Sequence, residues 1–446
     1  SPGGVSHDDP GRERNRGALG CGVQGPGPFG GCVWWDVYGP RMSYASVPLR
    51  VLPLVVAGVV ALVAAGPAAG AARTVNTVRT GPAGVAFYTP PKPLPGKTHG
   101  DLVWARTLSG AAVVPGASST KVVLYRSTGV DGKATAVSGV VSLPNGKVPR
   151  GGWPVVTYAH GTSGIADSCA PSRDVAGTPV HPYNAYVLPL LQRWLKAGYA
   201  VVRTDYEGLG TPGVHPFLVG ASEGRSTLDI VRAARELDPR LSKDIIISGH
   251  SQGGHAALFA AALARSVTPE LKVRGTVAFA PASHIDDQIP LTTGLTAPGG
   301  GLSGLVSLIA RGIATADPAL DTNALLSDAA NAFYPQTLTQ CLPELSGAAS
   351  FGGLAPKDLF KGDLAGVAKL LDAQDPSHLK ITTPLLIEQG AADTTVFPVF
   401  TDQLATELKA NGAKTLTYTK VPGVDHGGIV TAAAKDATAW MAARLR

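Results

Sequence analysis

Short apolar runs alternate with helical patterns along most of the chain, and this alternation restricts the possible folds more than any other feature. The run Ile245-Ile246-Ile247, for example, has no polar residue, which is typical of a strand buried on both faces of a parallel sheet. Strands are predicted at 121–126, 136–143, 154–158, 200–204, 244–248, 273–278, 384–388 and 416–421. Helices are predicted at 186–195, 225–237, 253–264, 399–410 and 429–444. The alternation therefore predicts an α/β fold with a mostly parallel eight-stranded sheet and helices on both faces.

The connections between the predicted elements differ greatly in length. The first two strands are joined by a short turn around Gly129, Asp131 and Gly132, which predicts an antiparallel pair. Between residues 278 and 384 lie about 100 residues, far more than a connection normally needs. Apolar residues recur there at helical spacing: Leu302, Leu305, Leu308, Ile309 and Ile313. We therefore expect a helical cap at about 284–380, inserted between strands 6 and 7 of a single domain that spans 73–446.

The apolar stretch at 51–63 predicts export of the chain. Met42 and Arg50 precede it, and small residues ending at Ala71 and Ala72 follow, which is the order of a signal peptide and its cleavage site. The stretch has about 13 strongly apolar residues, fewer than the roughly 18–20 that span a bilayer. We therefore expect a signal peptide at 42–72, cleavage near Ala71 or Ala72, and a secreted product with no transmembrane anchor after cleavage.

Residues 1–41 do not fit this organisation, because a signal peptide should stand at the start of a chain. They are rich in Gly, Pro, Arg and Asp and have no periodic apolar pattern. Met42 and Met441 are the only methionines. We therefore expect translation to begin at Met42, and residues 1–41 to be non-native, or disordered if they are made.

The positive charge of the chain is weak and dispersed. Charged residues make up 16% of the sequence and the net charge is +6, with no block of Lys or Arg. This distribution predicts neither nucleic-acid binding nor a polybasic membrane anchor.

The four cysteines divide between the two parts of the chain. Cys21 and Cys32 lie within 1–41, whereas Cys169 and Cys341 lie in the expected mature protein. An exported protein with two cysteines most simply joins them, so we expect a disulfide bond between Cys169 and Cys341.

The pattern Gly-x-Ser-x-Gly occurs twice, at 220–224 and 249–253, and only its context separates the two copies. Ser251 follows a buried strand and precedes a helix that opens with small residues. A strand–serine–helix turn of this kind exposes a nucleophilic serine, so Ser251 is the predicted nucleophile. Ser222 follows a segment broken by Pro216, which makes a poor strand, and we expect it to cap the following helix.

A serine hydroxyl needs a base, and the base needs an acid that orients it. His426 follows the last predicted strand, where the chain order Ser…Asp/Glu…His requires the base. Asp393 follows the preceding strand and is the predicted acid. The other candidate acids are Glu388, Asp425, Asp286 and Asp287. We expect the remaining histidines to be core or surface residues, including His250 and His255 beside the nucleophile.

An anionic tetrahedral intermediate needs backbone N–H donors. Gln252, directly after the nucleophile, is the first expected donor, and Thr162, at the end of the third predicted strand, is the second. The chain has no H-E-x-x-H, C-x-x-C or P-loop motif, and no G-x-G-x-x-G at the start of a βαβ unit. We therefore expect no metal and no organic cofactor.

These motifs together resemble the secretory lipase family of bacteria and fungi. The resemblance rests on Phe-Tyr-Thr-Pro-Pro at 87–91, Tyr-Ala-His-Gly-Thr at 158–162, Asp-Tyr-Glu-Gly-Leu-Gly at 205–210, Gly-His-Ser-Gln-Gly-Gly at 249–254, and the strand-end Asp393 and His426. It implies an α/β-hydrolase fold and an exported serine hydrolase, with a cap over the active site, that acts on acylglycerols and simpler esters.

The expected cap is the part of the chain that would bind an acyl group, because each buried methylene contributes about 0.8 kcal/mol. Leu305 and Ile309 are candidate acyl-binding residues, and the expected substrate is an ester or lipid at a lipid–water interface. The alternatives are a short-chain esterase whose cap only packs, a serine peptidase of the same fold, and a binding protein with an inactive hydrolase fold. The space before residue 120 is too short for the large N-terminal domain of such peptidases. An inactive protein would lack a member of the triad.

Overall fold

The computed structural model of the chain describes residues 78–445. The expected extension at 1–41 and signal peptide at 42–72 lie outside the described residues and stay predictions. Within 78–445, no helix combines the length and the apolar composition that crossing a membrane requires.

The centre of the molecule is a nine-stranded sheet. Its strands are β1 (Leu102–Thr107), β2 (Ser119–Thr128), β3 (Ala134–Leu143), β4 (Trp153–Ala159), β5 (Ala200–Glu207), β6 (Leu241–His250), β7 (Lys272–Phe279), β8 (Leu385–Gly390) and β9 (Leu416–Val421). Their order across the sheet is β1-β2-β3-β5-β4-β6-β7-β8-β9. The pairs β1–β2, β2–β3 and β3–β5 are antiparallel, and the other five pairs are parallel. The predicted mostly parallel sheet and its antiparallel first hairpin are confirmed.

The predicted number of eight strands is wrong, because β1 was not recognised as a strand. β1 follows a Pro-rich segment and lies at the edge of the sheet, where β2 is its neighbouring strand and Thr80 forms an isolated bridge with Ala105. Its three buried residues, Val103, Trp104 and Ala105, are consecutive, and its register with β2 is irregular near Trp104. An edge strand with these features lacks the alternating polarity from which strands are predicted.

Helices cover both faces of the sheet. The helices are α1 (His181–Ala185), α2 (Leu188–Lys196), α3 (Gly220–Leu237), α4 (Gln252–Val267), α5 (Ile289–Thr292), α6 (Gly301–Ala316), α7 (Thr322–Leu325), α8 (Asp328–Phe333), α9 (Leu342–Leu345), α10 (Ala365–Asp372), α11 (Pro398–Ala410), α12 (Ile429–Ala432) and α13 (Ala434–Arg444). Ile245 and Ile247 of β6 share one core with α3, α4 and α11, whereas Ile246 between them shares the other with α2, α12 and α13. The predicted cover of helices on both faces is confirmed.

Helix α3 begins at Gly220, five residues before the predicted start at 225. Ser222 therefore lies in its first turn, and Val219 occupies the N-cap position without a capping side chain. The Ser222 hydroxyl donates to Glu207 Oε2 at 2.5 Å, while the Glu223 carboxylate accepts the Leu218 N–H at 2.9 Å. The predicted capping role of Ser222 is wrong, because its hydroxyl faces a carboxylate on β5 and not the backbone of its own helix.

The long connection between β7 and β8 folds into α5 to α10, as expected for a helical cap. Leu308 of α6 shares a core with Leu345 and Phe351, and Phe217 and Leu218 from the segment before α3 belong to the same core. The cap is therefore packed against the sheet domain through that segment.

A disulfide bond between Cys169 and Cys341 ties the cap to the loop after β4. Cys341 immediately precedes α9, and Leu342 N–H donates to the Ser163 carbonyl at 2.8 Å. The predicted bond is confirmed, and it links the cap to the loop that contains Thr162.

Candidate active site

Ser251 lies in the sharp turn between β6 and α4. Its backbone has φ 59° and ψ −121°, a conformation that costs free energy for any residue except glycine. The neighbouring glycines permit the turn, because a Cβ at Gly249 would overlap the Gly253 carbonyl and a Cβ at Gly253 would overlap the Ala159 carbonyl. The strand and the helix therefore approach closely, and Ser251 lines a cavity beside the turn.

His426 and Asp393 lie on neighbouring loops, which follow β9 and β8. His426 Nδ1 donates to Asp393 Oδ2 at 2.7 Å, and the same carboxylate accepts the N–H groups of Thr395 and Val396 at 2.8 and 2.9 Å. Burial opposes ionisation of Asp393, but the hydrogen bond and charge of His426 and these N–H groups hold its pKa below the usual value. An ionised Asp393 keeps a proton on Nδ1 of His426, which leaves Nε2 free to accept one.

The other candidate acids have different surroundings. Asp425 accepts the Gly428 N–H at 2.8 Å, directly before α12. Glu388 is buried on β8, where burial and then the charge of Asp436 raise its pKa to about 7. Asp286 and Asp287 precede α5 in the cap. Of these candidate acids, Asp393 is therefore the one that is hydrogen-bonded to the His426 ring.

His250, which was expected to be a packing residue, is hydrogen-bonded on both ring nitrogens. The Tyr186 hydroxyl donates to His250 Nδ1 at 2.5 Å, and His250 Nε2 donates to the His426 carbonyl at 2.8 Å. Burial, and then the charge of His426, lower the pKa of His250 to about 3, so the ring is neutral. His250 therefore holds the backbone of His426, and its place directly before Ser251 was the only sequence signal for this.

Thr162 and Gln252, the two expected N–H donors, both lie beside Ser251. Each lines a cavity that Ser251 also lines. Gln252 is the first residue of α4, and the first N–H groups of a helix have no partner within the helix. Gly161, before Thr162, allows a close approach, because a Cβ there would lie 2.9 Å from the Tyr186 hydroxyl. The geometry is compatible with an oxyanion hole that these two residues form.

An apolar cavity extends from Ser251 into the cap. Its empty space is about 1040 Å³, including its opening. The apolar residues that line it include Leu302, Leu305, Val306, Ile309, Ile313 and Phe360. Both candidate acyl-binding residues, Leu305 and Ile309, therefore line this cavity, whereas Leu308 on the same helix is buried in the cap core.

A second cavity meets the first at Ser251. It is lined by His426, Tyr186 and Phe397, together with Leu302 and Leu305, which line both cavities. The first turns of α6 therefore separate two compartments that share one serine. Within residues 78–445, no group of three or more His, Cys, Asp or Glu side chains is arranged to hold a metal ion.

A family model described as secretory lipase matches residues 184–446, more than half of the chain. The chain belongs to the secretory lipase family. Among curated relatives, lipase A of Moesziomyces aphidis is 28% identical over 272 residues, which cover 58% of this chain and 56% of that protein. The chain thus spans about half the length of this relative. A protein of Mycobacterium tuberculosis named a probable inactive lipase is 24% identical over 379 residues, or 80% of this chain and 81% of that one.

The fold of the chain is similar to that of solved lipases. The structure of Candida antarctica lipase A in its closed state superimposes with a TM-score of 0.65 and 22% identity, covering 76% of this chain and 80% of that one. The chain therefore has the α/β-hydrolase fold that the sequence resemblance implied.

Proposed function

We propose that the chain is a secreted serine ester hydrolase, a lipase that hydrolyses acylglycerols and simpler esters. The observation that carries the proposal is that strained Ser251 lines one cavity with His426, which binds Asp393, and also lines the apolar cavity of the cap. Secretion rests on the family and on the signal peptide expected at 42–72. It is tested by sequencing the N-terminus of protein recovered from the culture medium; an intact residue 42 at that terminus would contradict cleavage.

Ester hydrolysis in this site begins with attack of Ser251 Oγ on the substrate carbonyl, while His426 Nε2 takes the serine proton. The carbonyl electron pair moves to the oxygen, which accepts hydrogen bonds from the N–H groups of Thr162 and Gln252. Collapse of this intermediate expels the alcohol, which takes the proton from His426. Water then attacks the acyl group on Ser251 by the same route and releases the acid.

The two cavities suit different parts of the ester substrate. The cap cavity is mostly apolar, so it suits the acyl chain, whose burial contributes about 0.8 kcal/mol per methylene. The second cavity contains His426, which must reach the departing oxygen, so it suits the alcohol. Specificity should therefore increase with acyl length until the cap cavity is full.

The test of this assignment is kcat/KM on p-nitrophenyl esters from C2 to C16, together with hydrolysis of a triglyceride emulsion. Leu305→Ala and Ile309→Ala should each lower kcat/KM for long esters by about fivefold to thirtyfold, the loss of about 1–2 kcal/mol of contact. Ile309→Ala should leave the acetate ester nearly unchanged, because Ile309 lines the cap cavity and not the second one. Leu308→Ala is the matched control, because this residue of the same helix is fully buried in the cap core. It should reduce stability without changing the chain-length profile.

A preference for acetate that both cavity substitutions leave unchanged would indicate a short-chain esterase with a structural cap. Labelling of Ser251 by a fluorophosphonate separates an active hydrolase from a binding protein with an inactive fold. A peptidase screen on the same preparation tests the remaining alternative.

A further inference from the structure

A buried polar cluster lies beneath the nucleophile turn, outside the groups used in the proposed reaction. The Gln252 side chain is only 2% exposed, and its Nε2 donates to Glu223 Oε1 at 2.7 Å and to His215 Nε2 at 2.9 Å. The side chains of Glu223 and His215 are themselves fully buried. Glu223 belongs to the segment 220–224, the second Gly-x-Ser-x-Gly sequence of the chain.

The donors and acceptors of this cluster allow one orientation of Gln252. Glu223 Oε1 accepts the Leu218 N–H and is therefore an acceptor, so the amide nitrogen of Gln252 must face it. His215 Nδ1 lies 3.0 Å from the Glu207 carbonyl and must carry the proton, so His215 Nε2 accepts from Gln252. Burial holds the pKa of His215 below its usual value, which keeps this acceptor available. Both amide hydrogens of Gln252 are therefore used.

The same cluster reaches the loop that carries the other N–H donor. The ring of Tyr206 is stacked on His215, with ring centres 5.4 Å apart and planes 5° from parallel. The Tyr206 hydroxyl donates to the His160 carbonyl at 2.8 Å, two residues before Thr162. One continuous set of buried side chains thus contacts both arms of the proposed oxyanion hole.

We propose that Glu223 and His215 are positioning residues that hold the side chain of Gln252 and thereby aim its backbone N–H at the oxyanion. The Gln252 N–H lies at the start of α4, where no hydrogen bond within the helix fixes it. Two hydrogen bonds to the Gln252 side chain restrict the movement of this residue, whose backbone N–H is the donor. The inference rests on the proposed function, because an oxyanion forms only if Ser251 attacks a carbonyl.

The experiment compares Glu223→Gln with the matched control Glu207→Gln. The first variant keeps one oxygen that can accept from Gln252 and Leu218, which both donate to Glu223 Oε1, but an amide oxygen is a weaker acceptor than a carboxylate oxygen. It also places an amide nitrogen at Oε2, 3.4 Å from His255 Nδ1, so the hold on Gln252 is weakened. The second changes a carboxylate that binds Ser222 and the Val130 N–H and does not bind Gln252 through its side chain. Complete loss of one oxyanion donor costs about 10²–10³ in kcat, so a misaimed donor should cost about tenfold to hundredfold.

Two readouts distinguish positioning from a general structural role. Glu223→Gln should lower kcat with little change in KM, whereas Glu207→Gln should change neither. Glu223→Gln should also weaken binding of an alkyl trifluoromethyl ketone, which forms a tetrahedral oxyanion on Ser251, by about the same factor as kcat. Binding of the fatty alcohol of equal length, which forms no oxyanion, should be unchanged. Gln252→Met, which keeps the backbone N–H but removes the anchor, should reproduce this pattern and add little to Glu223→Gln in the double variant.

Equal losses of ketone and alcohol binding in Glu223→Gln, or equal losses of kcat in both glutamate variants, would overturn the positioning role while leaving the hydrolase function intact. If Glu223→Gln does not fold, Gln252→Met decides by the same two readouts. A wild-type protein that neither reacts with a fluorophosphonate nor turns over esters would refute the proposed function, and the positioning role with it.

Discussion

The two Gly-x-Ser-x-Gly segments have the same five-residue pattern but different structures. The segment 249–253 spans the end of β6 and the start of α4, and Ser251 has φ 59° and lines two cavities. The segment 220–224 is the first turn of α3, where Ser222 is 1% exposed and bonded to Glu207. The pattern alone therefore does not specify a strained, accessible serine.

The difference between the segments comes from what precedes each serine. A buried strand leads into Ser251, so the chain must reverse sharply to start α4 behind it. An irregular segment with Pro216 leads into Ser222, so helix α3 can begin without a strained serine. The second segment still contributes to the first, because its Glu223 binds the Gln252 side chain.

The largest expected contrast between the two segments is in turnover. Ser251→Ala should lower kcat about a millionfold and abolish fluorophosphonate labelling, because no other group would form the acyl-enzyme. Ser222→Ala should keep turnover near that of the wild type and cost about 1–3 kcal/mol of stability through the lost bond to Glu207. Ester hydrolysis and thermal unfolding of both variants check this. Loss of labelling in Ser222→Ala alone would reverse the assignment.

A smaller contrast concerns the carboxylates behind each serine. In the proposed mechanism Asp393 acts on Ser251 through His426, so Asp393→Asn should lower kcat by about 10⁴ with the fold retained, because the histidine adopts the wrong tautomer. Glu207 binds the Ser222 hydroxyl directly, and Glu207→Gln should affect stability only. Single-turnover kinetics and circular dichroism measure the two effects. Near-normal turnover in Asp393→Asn would transfer the acid role to another carboxylate, such as Glu388.

The smallest contrast is in the pH dependence of stability. The second position of the pattern is His250 in one segment and Ala221 in the other. Burial lowers the pKa of His250 to about 3 and that of nearby His160 to about 4. The unfolded chain binds these protons below about pH 6.5, and the folded chain does not until much lower pH. Stability should therefore fall between about pH 6.5 and 4, by up to about 1.4 kcal/mol per pH unit for each histidine.

Urea unfolding at several pH values in this window measures that slope. His250→Gln keeps a donor for the His426 carbonyl and an acceptor for Tyr186 but does not titrate, so the slope should be shallower. His378→Gln is the control, because this exposed histidine has its pKa raised by a hydrogen bond to Asp372, and its loss should not flatten the slope. An unchanged slope in His250→Gln would mean that His250 is not buried in its neutral form.

Much of the fold was predictable because its signals are local. All eight predicted strands are present, because strands buried on both faces form apolar runs, and each run is recognisable without knowledge of the other strands. The places of Ser251, Asp393 and His426 follow from the same strands, because the carboxyl ends of parallel strands meet at one edge of the sheet. Strand β1 and the start of α3 were missed, since an edge strand and a helix without a capping side chain carry weak local signals.

The sequence by itself determined eight of the nine strands, which of two similar segments places its serine in a strand–helix turn, and the pair of cysteines that bond. Only the tertiary structure decided what the buried polar side chains do. Gln252 meets Glu223 and His215 across 29 and 37 residues, and His250 meets the His426 carbonyl across 176. No local pattern records such distant pairings, because a buried polar group is satisfied by whichever donor or acceptor the packing brings to it.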